Sequence, residues 1–312
     1  MASRAPAADG RADLSSLHGV LLVVSATALF GTIGTARVLG PTASSWSVGA
    51  LRLLLAVALL LAVARWLDGR GRLWALVRRP ESLLAGIGQA AFQLTFLTAV
   101  ELAGVAVTTL VAIGSAPLLT GLLTRAVTAR WAAATALGLV GLGLLVGGSV
   151  GPLSHVGLVL ALGAGLAYAV YTTASSRLAR HAPPASVTAA GFVVAAALLG
   201  PALLVTDNSW VTTRAGATLL GYLAVVATAL AYLLFVSGLR SVPAATAQTL
   251  GLTEPVVATA LGVLVLSESL RPVGYLGASL VVASLVVLAR GPATGDPTAS
   301  PWWRPRRLPS SP

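Results

Sequence analysis

Apolar residues run through this chain in ten long, nearly unbroken blocks, with polar residues confined to the short gaps between them. The blocks fall at about 18–38, 47–64, 82–100, 104–124, 131–149, 156–175, 185–206, 216–236, 243–266 and 272–289. A membrane-crossing helix needs about 20 consecutive apolar residues. A barrel strand would be about half as long and would alternate in polarity. The pattern therefore predicts an all-α membrane protein with ten transmembrane helices. The ends are predicted as an irregular segment over 1–17 and a disordered tail over 291–312, the tail carrying Trp302 and Trp303 beside Arg304, Arg306 and Arg307.

The second five blocks repeat the first five. Pro117 matches Pro255 and Phe30-Gly31 matches Tyr168-Ala169, both at an offset of 138 residues, while Leu137-Gly138 matches Leu276-Gly277 at 139. Five crossings per copy make the copies inverted in the bilayer. Glu101 after the third span and Arg240 after the eighth agree, because the same place has changed sign between opposite faces. The expected architecture is two inverted five-helix repeats, 18–150 and 151–290, with a site at their interface.

Composition sharpens this picture. Charged residues make up only 9% of the chain, against roughly 25% in a soluble domain. The net charge of +11 invites a nucleic-acid reading, but its distribution argues otherwise. All 20 basic residues are Arg, and sixteen of them fall on one side when the ten crossings are counted. That bias places both termini in the cytoplasm of a cell-membrane protein. The first span follows Arg4 and Arg11 but is long enough to read as a retained helix, not a cleaved signal. The chain has no Cys, and His18, His155 and His181 are far apart, so no metal or cofactor is expected.

The residues also carry a resemblance. "ALFGTIG" at 28–34, "ALRLLLAVALLL" at 50–61, "GLVLALGAGLAYAVYTTASSRLAR" at 157–180 and the run at 251–288 beginning "GLTEPVVATALG" resemble the EamA branch of the drug/metabolite transporter superfamily. The resemblance implies the ten-helix inverted-repeat fold and a central cavity lined mainly by the first, third, fourth, sixth, eighth and ninth spans. It implies transport of small organic solutes, often export of amino acids or drug-like compounds. One departure stands out: where the first repeat of the family often carries an acid, matching Glu268 in the second, this chain reads Thr128-Ala129-Arg130.

Candidate site residues follow from what a membrane tolerates. Glu254 lies near the middle of the ninth span, where a carboxyl group costs roughly 2.5–3.5 kcal/mol on insertion scales and so faces protein, water or a partner. Pro255 removes a backbone hydrogen bond there and is expected to release a carbonyl near Gly251, with Thr253 and Gln248 on the same helix. Such a broken polar stretch points to a transporter site, one at which a proton bound to Glu254 could drive solute the other way. Arg52 sits about 10 Å below one surface at 1.5 Å per residue, and either binds a substrate carboxylate or snorkels to headgroups. Gln89 and Gln93 share one helix face, as do Tyr168 and Tyr171; these pairs line a cavity or bond across helices. Glu268 and Arg271 read as structural, with Glu268 either capping the last span or favouring its positive end.

The leading reading is a secondary exporter of small organic metabolites, proton-coupled through Glu254, whose partners are a small-molecule substrate and the lipid bilayer, with a homodimer left open. The alternatives are a lipid-modifying membrane enzyme, which lacks an acid–base or metal cluster in sequence, and a structural protein, which the broken ninth span argues against. A topology test follows. Reporter fusions after Arg180 and after Ser209 are expected on opposite sides, with position 180 inside; both on one side would remove a crossing between them.

Overall fold

The computed structural model describes residues 9–68, 70–125, 127–147 and 154–290, and these are helical with no strands among them. The order is α1 Asp9–Leu39, α2 Ser45–Asp68, α3 Arg70–Val77, α4 Pro80–Thr124, α5 Ala129–Val146, α6 His155–Ala179 and α7 Pro184–Leu199. Two 3-10 turns, Gly200–Leu204 and Ser209–Thr212, lead into α8 Arg214–Ala224, a π-helical turn Val225–Leu230 and α9 Ala231–Gly238. The chain ends in α10 Ala244–Leu250, α11 Thr253–Leu266 and α12 Pro272–Ala289. Among the described residues, nine helical stretches are long and apolar enough to cross a membrane.

The boundaries depart from the sequence pattern in physically readable ways. α1 starts at Asp9, so residues 9–17 continue the helix instead of forming an irregular lead-in. The predicted tail over 291–312, with Trp302 and Trp303, lies outside the described residues. The third and fourth predicted spans form one 45-residue stretch, α4. At about 1.5 Å per residue it is more than twice the thickness of a hydrocarbon core. Its continuity is interrupted at Gly104, whose φ of 78° and ψ of 161° belong to no helix and are open only to glycine. The ninth predicted span is likewise divided, by a turn at Gly251-Leu252. The last span is not capped by Glu268: α12 begins after Arg271 with no side-chain cap, while the Glu268 N–H closes the preceding turn on the Gly262 carbonyl at 3.0 Å. Thr128, standing where the family often has an acid, caps α5 by accepting from the Trp131 N–H at 3.2 Å.

With lipid outside, helix association rests on close packing of small residues. α5 lies along α12 with glycine against glycine. A Cβ on Gly141 would stand 2.7 Å from the Gly277 carbonyl oxygen, and one on Gly277 would stand 2.6 Å from that of Gly141. α2 packs on α7, α1 packs on α9 and α11, and α6 packs along α4. Because the obstacles at Gly277 are backbone atoms, they cannot turn aside. Gly277→Val is expected to destabilise the fold by about 1–3 kcal/mol, read as a lowered melting temperature of the detergent-purified protein. A parent-like melt would mean the α5–α12 seam has slack.

Candidate functional site

Call the end of the bundle where α1 begins the near face and the opposite end the far face. Packing differs sharply between them. Toward the near face, residues 185–192 of α7, 171–176 of α6 and 247–253 around α10 are buried without interruption. Toward the far face, α11 beyond Glu254 and the start of α8 are mostly half-buried or exposed. A groove of about 660 Å³ opens there between α1 and α8, lined by Ala36, Gly40, Thr218 and Tyr222 among others.

The polar residues meet where the dense half gives way to the open half. Arg52, half-buried on α2, extends its guanidinium inward and does not snorkel. Its Nη2 donates to Gln93 Oε1 at 3.2 Å and its Nη1 to Thr228 Oγ1 at 3.4 Å. Gln89, one turn before Gln93, exchanges hydrogen bonds with the Tyr232 hydroxyl at 3.0 and 3.2 Å. So Gln89 and Gln93 do share a face, and both bond across helices. Beneath them lies an aromatic layer. The Tyr232 ring stands 4.8 Å from Phe30, 4.7 Å from Phe192 and 5.5 Å from Tyr171, while Tyr168 stacks on Tyr171 at 6.2 Å and lies 5.1 Å from Phe92. These rings sit 4.7–5.5 Å from Tyr232, a spacing at which aromatic pairs attract beyond their buried area. They form the floor below Arg52.

Glu254 stands at the first turn of α11, half-buried, with no hydrogen-bond or ion-pair partner for its carboxylate among the described residues. α1 makes room through Gly31, whose Cβ would stand 2.6 Å from the Glu254 carbonyl oxygen. Thr253 and Pro255 beside it are buried, and Thr253 Oγ1 has no partner. The carbonyl expected to be freed by Pro255 is taken up: Gly251 C=O accepts the Glu254 N–H at 3.0 Å, because the turn at Gly251-Leu252 tightens to bonds spanning three residues. Gln248 points away from this chamber and ties α10 to α6, donating to Thr172 Oγ1 at 2.6 Å.

Thr228 and Tyr232 are absent from the sequence-based candidates. The signal was present: adding the 139-residue offset that joins Glu101 to Arg240 carries Gln89 to Thr228 and Gln93 to Tyr232. Tyr232→Phe is expected to strand the buried Gln89 amide at a cost of about 1–3 kcal/mol, seen as a lowered melting temperature that Gln89→Leu in the same chain partly restores. A single variant as stable as the parent would mean the pair does not hold α4 to α9.

Comparison with known proteins adds the following. The EamA-like transporter family matches residues 155–290. The uncharacterized transporter YwfM of Bacillus subtilis (strain 168) is 40% identical over 282 residues, covering 87% of this chain and 94% of the relative. The threonine/homoserine exporter RhtA of Escherichia coli (strain K12) is 30% identical over 271 residues, covering 85% and 88%. One crystal structure, 21% identical, superposes with a TM-score of 0.74 over 86% of this chain and 95% of that one, a likeness of fold.

Proposed function

Because this chain belongs to the EamA-like transporter family, a multi-pass family of membrane transporters, we propose that it exports small zwitterionic metabolites of the amino-acid class across the cell membrane in exchange for protons. The observation that carries the reading is the pair of opposite charges inside the membrane-spanning bundle, Arg52 on α2 and Glu254 on α11. Arg52 spends two of its five donors on Gln93 and Thr228, leaving the rest of the fork for a carboxylate. Glu254, unpartnered, is free to take an ammonium group or a proton. An isolated carboxylate inside a membrane defaults to function, because its cost is kept only where something binds it. Gln89, Gln93, Tyr168 and Tyr171 shape the chamber, Gln248 braces it, and Thr253 and Pro255 set the turn that presents Glu254. The exporter direction and the amino-acid class lean on the name of RhtA.

This reading takes the chain as ten crossings in two inverted repeats, 18–150 and 151–290, with both termini in the cytoplasm. Several contacts support it. Gly19 packs on Ser241-Val242, and 138 residues later Gly157 packs on Leu102-Ala103. Thr27 Oγ1 reaches the Leu250 carbonyl at 3.5 Å, and Gly165 lies on the carbonyl of Ala112, each partner again 138 residues away. The break at Gly104 falls within one residue of the Val242-Pro243 turn in the second copy, which makes α4 two crossings. On this arrangement the far face is extracellular, and the structure stands open to the outside.

The test is transport in proteoliposomes. Glu254→Gln keeps shape and removes the titrating group. It is expected to accumulate and melt like the parent while losing pH-driven uptake of L-threonine by at least tenfold. Undiminished pH-driven transport by this variant would remove Glu254 from the coupling step, and failure to accumulate would mark it as structural.

A further inference from the structure

The two repeats carry the same interface in two different states. This comparison rests on the inverted-repeat reading above. At the 139-residue offset, Gly86, Gly88 and Gln89 of α4 correspond to Val225, Ala227 and Thr228, and Gly191 of α7 corresponds to Arg52 of α2. On the near side this interface is shut. A Cβ on Gly86 would stand 2.5 Å from the Gly191 carbonyl oxygen, and one on Gly88 would stand 2.8 Å from that of Ala167. On the far side the corresponding residues form the π turn Val225–Leu230, in which the Ala231 N–H reaches back five residues to Val226 C=O. The groove between α1 and α8 opens beside it.

The difference lies in what fills the equivalent places. Gly191 has no side chain, so α4 settles directly onto its backbone. Arg52 places a guanidinium between Thr228 and Gln93, the two positions that correspond to Gln89 and Tyr232. In the closed copy that pair bonds directly, at 3.0 Å. In the open copy the arginine stands between them. A π turn holds one residue more than the α-helical turn it replaces, and such turns gather at functional sites. Here Thr228, whose Oγ1 accepts from Arg52, lies within it.

We propose that Arg52 is a wedge as well as an anchor: by bridging Thr228 to Gln93 it maintains the π turn and holds the far half of the bundle open, against an intrinsic tendency of that interface to close as its glycine-lined counterpart does. The wedge makes Thr228 a positioning residue, acting through Arg52.

The chain has no Cys, so a single introduced thiol reports unambiguously. Gly34 is exposed, has nothing within 4 Å of a built Cβ, and lies on α1 one turn beyond Phe30 on the open side. The rate at which Gly34→Cys reacts with a charged, membrane-impermeant maleimide measures far-side opening. Adding Arg52→Gly is expected to slow labelling at least tenfold. Arg52→Lys keeps the cation but loses the fork, and Thr228→Val removes one end of the bridge; each is expected to slow labelling about threefold or more. Monodisperse elution and a parent-like melting temperature establish that each variant is folded. Parent-like labelling in any folded Arg52 variant overturns the wedge. Transport separates this from the function proposed above. If Arg52→Lys loses L-threonine transport but labels like the parent, the anchor survives and the wedge falls. If the parent protein moves no amino acid at all, the substrate class falls and the labelling rates still decide the wedge.

Discussion

A bilayer offers no water to an unpaired peptide group, and this one constraint shapes the molecule from its helices to its site. Regular helices satisfy the backbone internally, so the described residues are helical almost throughout. The departures are accounted for bond by bond. At Gly251-Leu252 the helix breaks, yet the carbonyl that Pro255 leaves without its usual partner accepts from Glu254. At Val225–Leu230 the ladder widens by one residue but stays bonded. Many side chains follow the same rule, Thr253 Oγ1 being one exception. Gln89, Gln93, Gln248, Thr228 and Tyr232 each have a named partner across a helix boundary. The Glu254 carboxylate, by contrast, has no hydrogen-bond or ion-pair partner among the described residues.

Much of the architecture was legible in the sequence because membrane helices are written in composition. Leu, Val and Ala runs mark spans irrespective of their neighbours, and the last span, 272–289, coincides with α12. What the pattern missed are features set by contact or by backbone geometry. The π turn leaves no mark on an apolar run such as Val225–Leu230. The start of α1 at Asp9 comes from helix propagation through residues that merely look polar. For the site, the sequence marked Arg52, Gln89, Gln93 and Glu254 because polar groups are conspicuous in a membrane. It passed over Thr228, which resembles many other threonines until the arginine is seen to reach it. It also overread Pro255, since the rule about a lost hydrogen bond says nothing about which neighbour will claim the carbonyl.

Glycine does most of the work of bringing helices together. Gly86, Gly88, Gly141, Gly191 and Gly277 allow backbone to approach backbone, where lipid offers no hydrophobic drive for association. Their placement also decides where the bundle is tight. Toward the near face α4 closes on α6 and α7 through Gly86 and Gly88, whereas toward the far face Gly141 and Gly277 hold α5 to α12 while a groove opens between α1 and α8.

The geometry of α1 adds a mechanical consequence. Near its start, Gly19 and Val23 press against Ser241, Val242 and Gly238, close enough that a Cβ on Gly238 would stand 2.5 Å from Val23. That contact sits at the base of a long lever arm. From Gly19 to Gly34 the helix runs about 22 Å at 1.5 Å per residue. A tilt of about 10° about that contact would sweep the far end through about 4 Å, comparable to the width of a small side chain. Length alone thus makes the tip of a 31-residue helix far more sensitive than its base to a given change of angle.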